Sequence, residues 1–239
     1  MQNPLFIALD FNHRGKRRQF LEHFQDEQID VKVGMELFYR EGVKVIEELK
    51  DAGHEIFLDL KLHDIPNTVN RTMRVLAEME ISMVNVHAAG GQVMMEAAIE
   101  GLEAGTRPGK ERPKLIAVTQ LTSTNEEMLK QQLHIEGSLE SVVCSYAQLA
   151  KEAGLDGVVC SAKEVPLIQK GCGADFLTVT PGIRRHTDHH GDQIRVVTPA
   201  EARALGSWGI VVGRSLTTVN DPLHVYKEMN ADWKGVALR

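Results

Sequence analysis

Eight short apolar runs, rich in β-branched residues, punctuate the chain: "PLFIALD" (4–10), "IDVKVGM" (29–35), "EIFLDLKL" (55–62), "SMVNVHA" (82–88), "KLIAVTQL" (114–121), "DGVVCS" (156–161), "DFLTVTPG" (175–182) and "WGIVVGR" (208–214). Near-continuous apolar runs suit strands buried on both faces, as in a parallel sheet. Between them apolar residues recur at helical spacing. "RRQFLEHFQ" (17–25) sets Phe20, Leu21 and Phe24 together, and "LFYREGVKVIEELKDAG" (37–53) reads as one helix closed by Gly53. "NTVNRTMRVLAEME" (67–80) carries the stripe Val69, Met73, Leu76 and Met79, and segments 91–105, 138–154, 198–206 and 221–229 follow the same logic. Pro199 and Pro222 fall near the first helical position, where proline is tolerated.

No Pro/Gly/Ser-rich linker, charge run or low-complexity tract divides the chain. Eight strands alternating with helices over 239 residues predict an α/β fold, a single (β/α)8 TIM barrel domain spanning 1–239. An open doubly wound sheet is the alternative. Against it, "DFNHRGK" follows the first run where a dinucleotide-binding sheet carries a GxGxxG turn.

Composition narrows the function more than the fold. Hydrophobic residues make up 43% and charged residues 25%, an ordinary globular balance. The net charge of −6 speaks against nucleic acid, whose binding is driven by Lys and Arg on phosphates; small anionic ligands answer to local charge instead. Cys144, Cys160 and Cys172 have no CxxC spacing, so reduced thiols of a cytoplasmic protein are expected rather than disulfides or a zinc site. The apolar N-terminal stretch is too short for the core of a signal peptide. No run approaches the roughly 20 apolar residues of a membrane span, and no membrane partner is expected.

In a parallel barrel the functional residues gather at the C-terminal ends of the strands. Asp10 closes the first run, Lys32 lies in the second, Asp59 and Lys61 close the third, and Asn85 and His87 the fourth. Thr119, Gln120, Thr122 and Ser123 follow the fifth, Arg184 the seventh and Arg214 the eighth. Burying a charge is unfavourable unless it is paired, so "FLDLKLHDIPNTV" (57–69) is unusual in placing Asp59, Lys61 and Asp64 along an apolar run. Side chains on a strand alternate with a period of two. Asp59 and Lys61 then share one side, with Leu58, Leu60 and Leu62 on the other. A structural ion pair at the rim would explain two such charges; Asp10, Lys32 and Asp64 converging on the same mouth exceed what a rim needs. Neighbouring carboxylates favour the ammonium form of a lysine, which suits Lys61 as a proton donor rather than a Schiff-base nucleophile. "TPGIRR" (180–185) and "VVGRS" (211–215) occupy the loops that commonly bind phosphate in this fold, with backbone N–H groups of Gly213 and Arg214 at a helix start. The polar segment "RRHTDHHGDQ" (184–193), with His186, His189 and His190, reads as a lid rather than a metal cluster.

"FLDLKLHDIPNT", with "LDF" near the start, "VKVG", "TQLTS", "VTPGIR" and "VVGRS", resembles the orotidine 5′-phosphate decarboxylase family over essentially the whole chain. The resemblance implies decarboxylation of orotidine 5′-phosphate to UMP, with no metal and no organic cofactor. By position it implies Lys61 as proton donor to C6 and Asp59 beside the departing carboxylate. It implies Lys32 and Asp10 at the ribose, and Thr122 with its neighbours at the pyrimidine ring. Arg184, Gln193, Gly213 and Arg214 would hold the phosphate. Asp64 and Thr68 would reach into the site of a homodimeric partner. The histidine-rich "RHTDHHGDQ" departs from the family pattern. Two rivals share features of the chain. A magnesium-dependent decarboxylase of keto-sugar acid phosphates carries a similar D-x-K-x-x-D, but with a glutamate at the end of strand two, where this chain has "VKVG". A phosphate-binding barrel without catalysis would not need so dense a charge array.

Overall fold

In the computed structural model, which describes residues 3–188 and 196–237, each of the eight apolar runs contains a strand: β1 (Leu5–Ala8), β2 (Asp30–Gly34), β3 (Glu55–Leu62), β4 (Met83–His87), β5 (Lys114–Val118), β6 (Gly157–Val159), β7 (Leu177–Thr180) and β8 (Gly209–Val212). Neighbours pair in parallel and in chain order, and β8 returns to β1 to close the barrel. The helices are α1 (Arg14–Glu22), α2 (Met35–Glu41), α3 (Val43–Asp51), α4 (Pro66–Glu78), α5 (Gln92–Gly105), α6 (Glu126–Gln131), α7 (Leu139–Glu152), α8 (Val165–Cys172), α9 (Pro199–Ala204), α10 (Arg214–Thr217) and α11 (Pro222–Lys234). The fold is the expected (β/α)8 barrel. Among the described residues no helix is long and apolar enough to cross a membrane.

Alternation sorts the strand residues into two layers. Phe6, Phe57, Met83, Ile116, Val179 and Val211 point inward and fill the barrel axis. Ile7, Val31, Val33, Leu58, Val84, Val86, Leu115 and Ala117 point outward into the core beneath the helices. Both faces are apolar, which is why the strands read as continuous runs. α4 and α5 pack closely because α5 offers glycine at the contact: a Cβ at Gly101 or Gly105 would lie 2.2 Å from the carbonyl oxygen of Asn70 or Arg74.

The helix expected over 37–53 is two helices. Gly42 separates α2 from α3 at φ 64°, ψ −152°, a conformation that no helix can continue through and that glycine tolerates. The pattern hid the break because Leu37 on one side and Val45, Ile46 and Leu49 on the other are all buried. α6, α8 and α10 were not expected; all have eight residues or fewer, too short for a convincing period. An ion-pair network centred on a buried arginine joins α1 to α2 and α3. The Nη2 of Arg17, 1% exposed, lies 2.7 Å from carboxylate oxygens of both Glu41 and Glu48, and Arg14 and Arg18 also bond Glu48.

Candidate active site

Directly above the apolar floor made by Phe6, Phe57 and Met83, the barrel mouth holds the charges. Asp59 follows Phe57 on the inner face of β3, and Lys32 on β2 stands in register with Phe57. Lys32 Nζ reaches Asp59 Oδ2 at 3.1 Å and Asp10 Oδ1 at 3.3 Å. Lys61 Nζ lies 2.6 Å from Asp59 Oδ1. The four groups form an alternating chain, Asp10–Lys32–Asp59–Lys61. Burial opposes ionisation of Asp59, but the two ammonium groups and the hydrogen bonds from Lys61 and Asn85 outweigh it, holding the carboxyl below its usual range. Burial likewise opposes the charge on Lys32, and Asp59 and Asp10 overcome it, raising its affinity for the proton above the ordinary value. Each buried charge is stabilised by its neighbours.

Lys61 joins Asp59 by a route that simple alternation did not foresee. Leu58 pairs with Val84, yet the next pair is Leu62 with Val86, so β3 bulges between them. Lys61 sits in the bulge with φ +52°, a left-handed conformation costing an L-residue with a side chain roughly 1–2 kcal/mol. The distortion turns the Lys61 side chain onto Asp59 while Leu58 and Leu60 stay in the outer core.

Lys32, Asp59 and Lys61 line one wall of a cavity of about 190 Å³. Leu121 and Thr122 line it from the loop after β5, Pro181 from the loop after β7 and Val211 from β8. The expected Thr122 is therefore at the site, and Gln120 and Cys160, which carried no assigned role, line it too. Arg184 follows β7 and Gly213 and Arg214 follow β8, on neighbouring strands. Arg184 is buried, with Nη1 donating to the Ile183 carbonyl at 2.9 Å. Gly213 precedes the single turn of α10, and the Ser215 hydroxyl donates to the Ile183 carbonyl at 3.5 Å, tying the two loops together. Gln193 lies outside the described residues, as do His189 and His190. His186 is described, and Asp188 accepts from Arg185 at 2.7 and 3.0 Å. Among the described residues no cluster of three or more His, Cys, Asp and Glu could hold a metal ion.

Asp64 is not brought to Lys61 of its own chain. It is exposed, and its Oδ1 accepts from the N–H of Ile65 at 2.7 Å. Thr68 is exposed on the first turn of α4. Within one chain the ion pair of Lys61 is with Asp59, and Asp64, in the D-I-P turn, bonds the Ile65 N–H. Asn85 carries more than the sequence suggested. It is wholly buried and bonds Asp59 at 2.7 Å. Its one visible signal was a lone amide inside "MVNVH".

Residues 3–229 match the model of the Orotidine 5'-phosphate decarboxylase / HUMPS family. The chain is 68% identical over 235 residues to an orotidine 5'-phosphate decarboxylase of Shouchella clausii, covering 98% of each chain. It is 58% identical over 238 residues to one of Bacillus cereus, covering 100% of both. The crystal structure of orotidine 5'-phosphate decarboxylase from Lactobacillus acidophilus superimposes with a TM-score of 0.86 at 41% identity, over 97% of this chain and 99% of that one. The crystal structure of an uncharacterized conserved protein from Geobacillus kaustophilus gives 0.87 at 53% identity, over 96% and 100%.

Proposed function

The chain belongs to the orotidine 5′-phosphate decarboxylase / HUMPS family, and from that premise we propose how its own residues act. The enzyme is a carboxy-lyase that converts orotidine 5′-phosphate to UMP in pyrimidine biosynthesis. The observation that carries the mechanism is the 2.6 Å contact of Lys61 with Asp59 at the edge of the cavity. The C6 carboxylate enters beside Asp59. The bond from C6 to the carboxyl carbon breaks, carbon dioxide leaves, and the electron pair stays on C6. Lys61 stabilises that developing charge and transfers its proton to C6, ending as the neutral amine, which solvent recharges.

Two unit charges about 4 Å apart interact by roughly 4 kcal/mol at an effective dielectric near 20. Enzymes lower barriers by roughly 8–23 kcal/mol. Repulsion between Asp59 and the substrate carboxylate is thus too small alone, and electrostatic stabilisation of the carbanion by Lys61 must add to it. Binding energy from the distant phosphate supplies a further share by fixing the reacting geometry. In this reading Arg184, Gln193, Gly213 and Arg214 hold the phosphate, Lys32 and Asp10 the ribose, and Thr122 the pyrimidine ring. The linked loops after β7 and β8 support the phosphate assignment, since that is where this fold commonly binds phosphate. No metal or organic cofactor takes part. Cys144, Cys160 and Cys172 form no disulfide, which suits a reaction in the cytoplasm.

Asp64 and Thr68 act in the site of a second subunit. Two features support this: both residues are exposed, and they lie beside uncovered apolar side chains. Ile65 is 67% exposed, and Val93, on the neighbouring α5, is 66% exposed. A two-fold interface would bury that surface and make the exchange reciprocal.

The test begins with chelator-treated protein, which consumes orotidine 5′-phosphate without added metal, read from the loss of substrate absorbance. Activity lost on chelation and restored by magnesium would favour the keto-sugar-type mechanism. For the shared site, Lys61→Ala and Asp64→Ala proteins are each nearly inactive. Exchanging their subunits creates dimers with one intact site, so activity returns. Exchange verified by two affinity tags with no return of activity would put Asp64 back in its own subunit.

A further inference from the structure

We infer that Asn85 is a positioning residue for the decarboxylation, an amide clamp that fixes both the carboxylate of Asp59 and the backbone of Lys61. The inference rests on the roles proposed for those two residues. β4 places Met83 and Asn85 on the inner face of the barrel, between the outward Val84 and Val86. Asn85 is 0% exposed. Its Nδ2 donates to Asp59 Oδ1 at 2.7 Å, and its Oδ1 accepts from the backbone N–H of Lys61, also at 2.7 Å. The partners dictate which way the amide points, since a carboxylate accepts only and a backbone N–H donates only.

Both bonds answer a problem created by the bulge in β3. Where the register shifts between Leu58 and Leu62, Lys61 has no paired residue in β4, and its partly buried N–H still needs an acceptor. The Asn85 carbonyl supplies that partner and braces the left-handed backbone that aims Lys61. Asp59 Oδ1 accepts from Lys61 Nζ as well as from Asn85. The amide therefore fixes the carboxylate rotamer without adding or removing charge. No other residue type of this size does both jobs: aspartate keeps the acceptor and loses the donor, leucine loses both.

Two variants separate the jobs. Asn85→Ala removes both bonds and lowers kcat by ~10²-fold, the scale of an ångström-size misplacement in a reacting geometry, while affinity for UMP stays within threefold because the phosphate loops are untouched. Asn85→Asp retains the bond to the Lys61 N–H but sets a second carboxylate against Asp59. The new acid takes the place of the amide between Asp59 and the Lys61 N–H on β3, with Lys32 of β2 on the other oxygen of Asp59 and His87 two residues on along its own strand; the β5 residues in register here, Ile116 to Val118, carry no charge. Its kcat is low at neutral pH and rises as pH falls, because the protonated acid regains a donor toward Asp59. An acid-rising limb absent from wild type is the signature of positioning. The inference is overturned if kcat of both variants stays within threefold of wild type, if UMP affinity falls as far as kcat, or if Asn85→Asp shows no acid rise. If Asn85→Ala fails to fold, the pH profile of Asn85→Asp decides. Wild-type turnover in the same assay keeps the two questions apart: its absence sinks the decarboxylase mechanism, whereas its presence with indifferent Asn85 variants sinks only the clamp.

Discussion

Two ion-pair networks in this barrel use similar parts for different ends. Between α1 and α2–α3, Arg17 is buried with Glu41 and Glu48 on its guanidinium. At the mouth, Lys32 and Lys61 alternate with Asp10 and Asp59. Both contain a cation almost lost from solvent, and both displace proton equilibria. Hydrogen bonding from Arg17, then from Arg14 and Arg18, pulls Glu48 down to about 2, so this network keeps its contribution through mildly acidic pH and loses it as pH falls toward that value. The differences lie elsewhere. The helix network uses arginine, whose planar fork matches carboxylates, and closes on itself. The mouth network uses lysines, is braced by an amide and a distorted backbone, and opens onto a cavity. Charge density does not single out the mouth as the candidate catalytic array; the cavity beside its charges and the strained residue among them do.

Three experiments press on that distinction. The largest effect belongs to Lys61→Ala, which lowers kcat by at least ~10⁴-fold, roughly 5.5 kcal/mol of barrier, with circular dichroism and melting temperature preserved. A kcat within tenfold of wild type, or loss of fold, would make the mouth network structural. Arg17→Ala should show the opposite pattern. It takes from Glu41 and Glu48 the buried cation they share, while Arg14 and Arg18 still reach Glu48, and lowers the free energy of unfolding by about 2 kcal/mol, read by urea titration, while kcat of the folded enzyme is unchanged. A matching loss of kcat would erase the contrast between the two regions.

The smallest effect sharpens the comparison with a carboxylate whose burial outweighs its attraction to Lys234. Asp30 opens β2 in register with Glu55. Burial, then repulsion from Glu55, pushes it up to about 6. A raised folded-state value means the contribution to stability is fully present below the unfolded value near 3.8 and is lost as pH rises through about 6. Asp30→Asn therefore stabilises the protein at pH 8, by about 1 kcal/mol after allowing for solvent screening, and leaves it unchanged below pH 4. Equal shifts at both pH values would exclude charge as the cause.

Much of this was legible in the sequence because the chemistry is local to strand ends. All eight strands, Asp10, Lys32, Asp59 and Lys61 could be placed from apolar runs and the polar residues that close them. The clamp could not be, since it depends on a register shift that brings Asn85 opposite Lys61, and a period of two has no room for a bulge. Arg17 escaped for another reason: its partners lie 24 and 31 positions away, and only the packing of three helices brings them together. Asp64 was read correctly as beyond the strand, yet its partner within the chain proved to be the Ile65 N–H rather than Lys61.

The left-handed backbone at Lys61 sets two kinds of selection against each other at one codon. Glycine alone occupies φ +52° without steric penalty, so replacing Lys61 by glycine would relieve the bulge even as it removes the proposed proton donor. Variants of this gene sorted by heat resistance alone would drift toward glycine at 61 and lose turnover, whereas cells that depend on the product would hold lysine there against that drift.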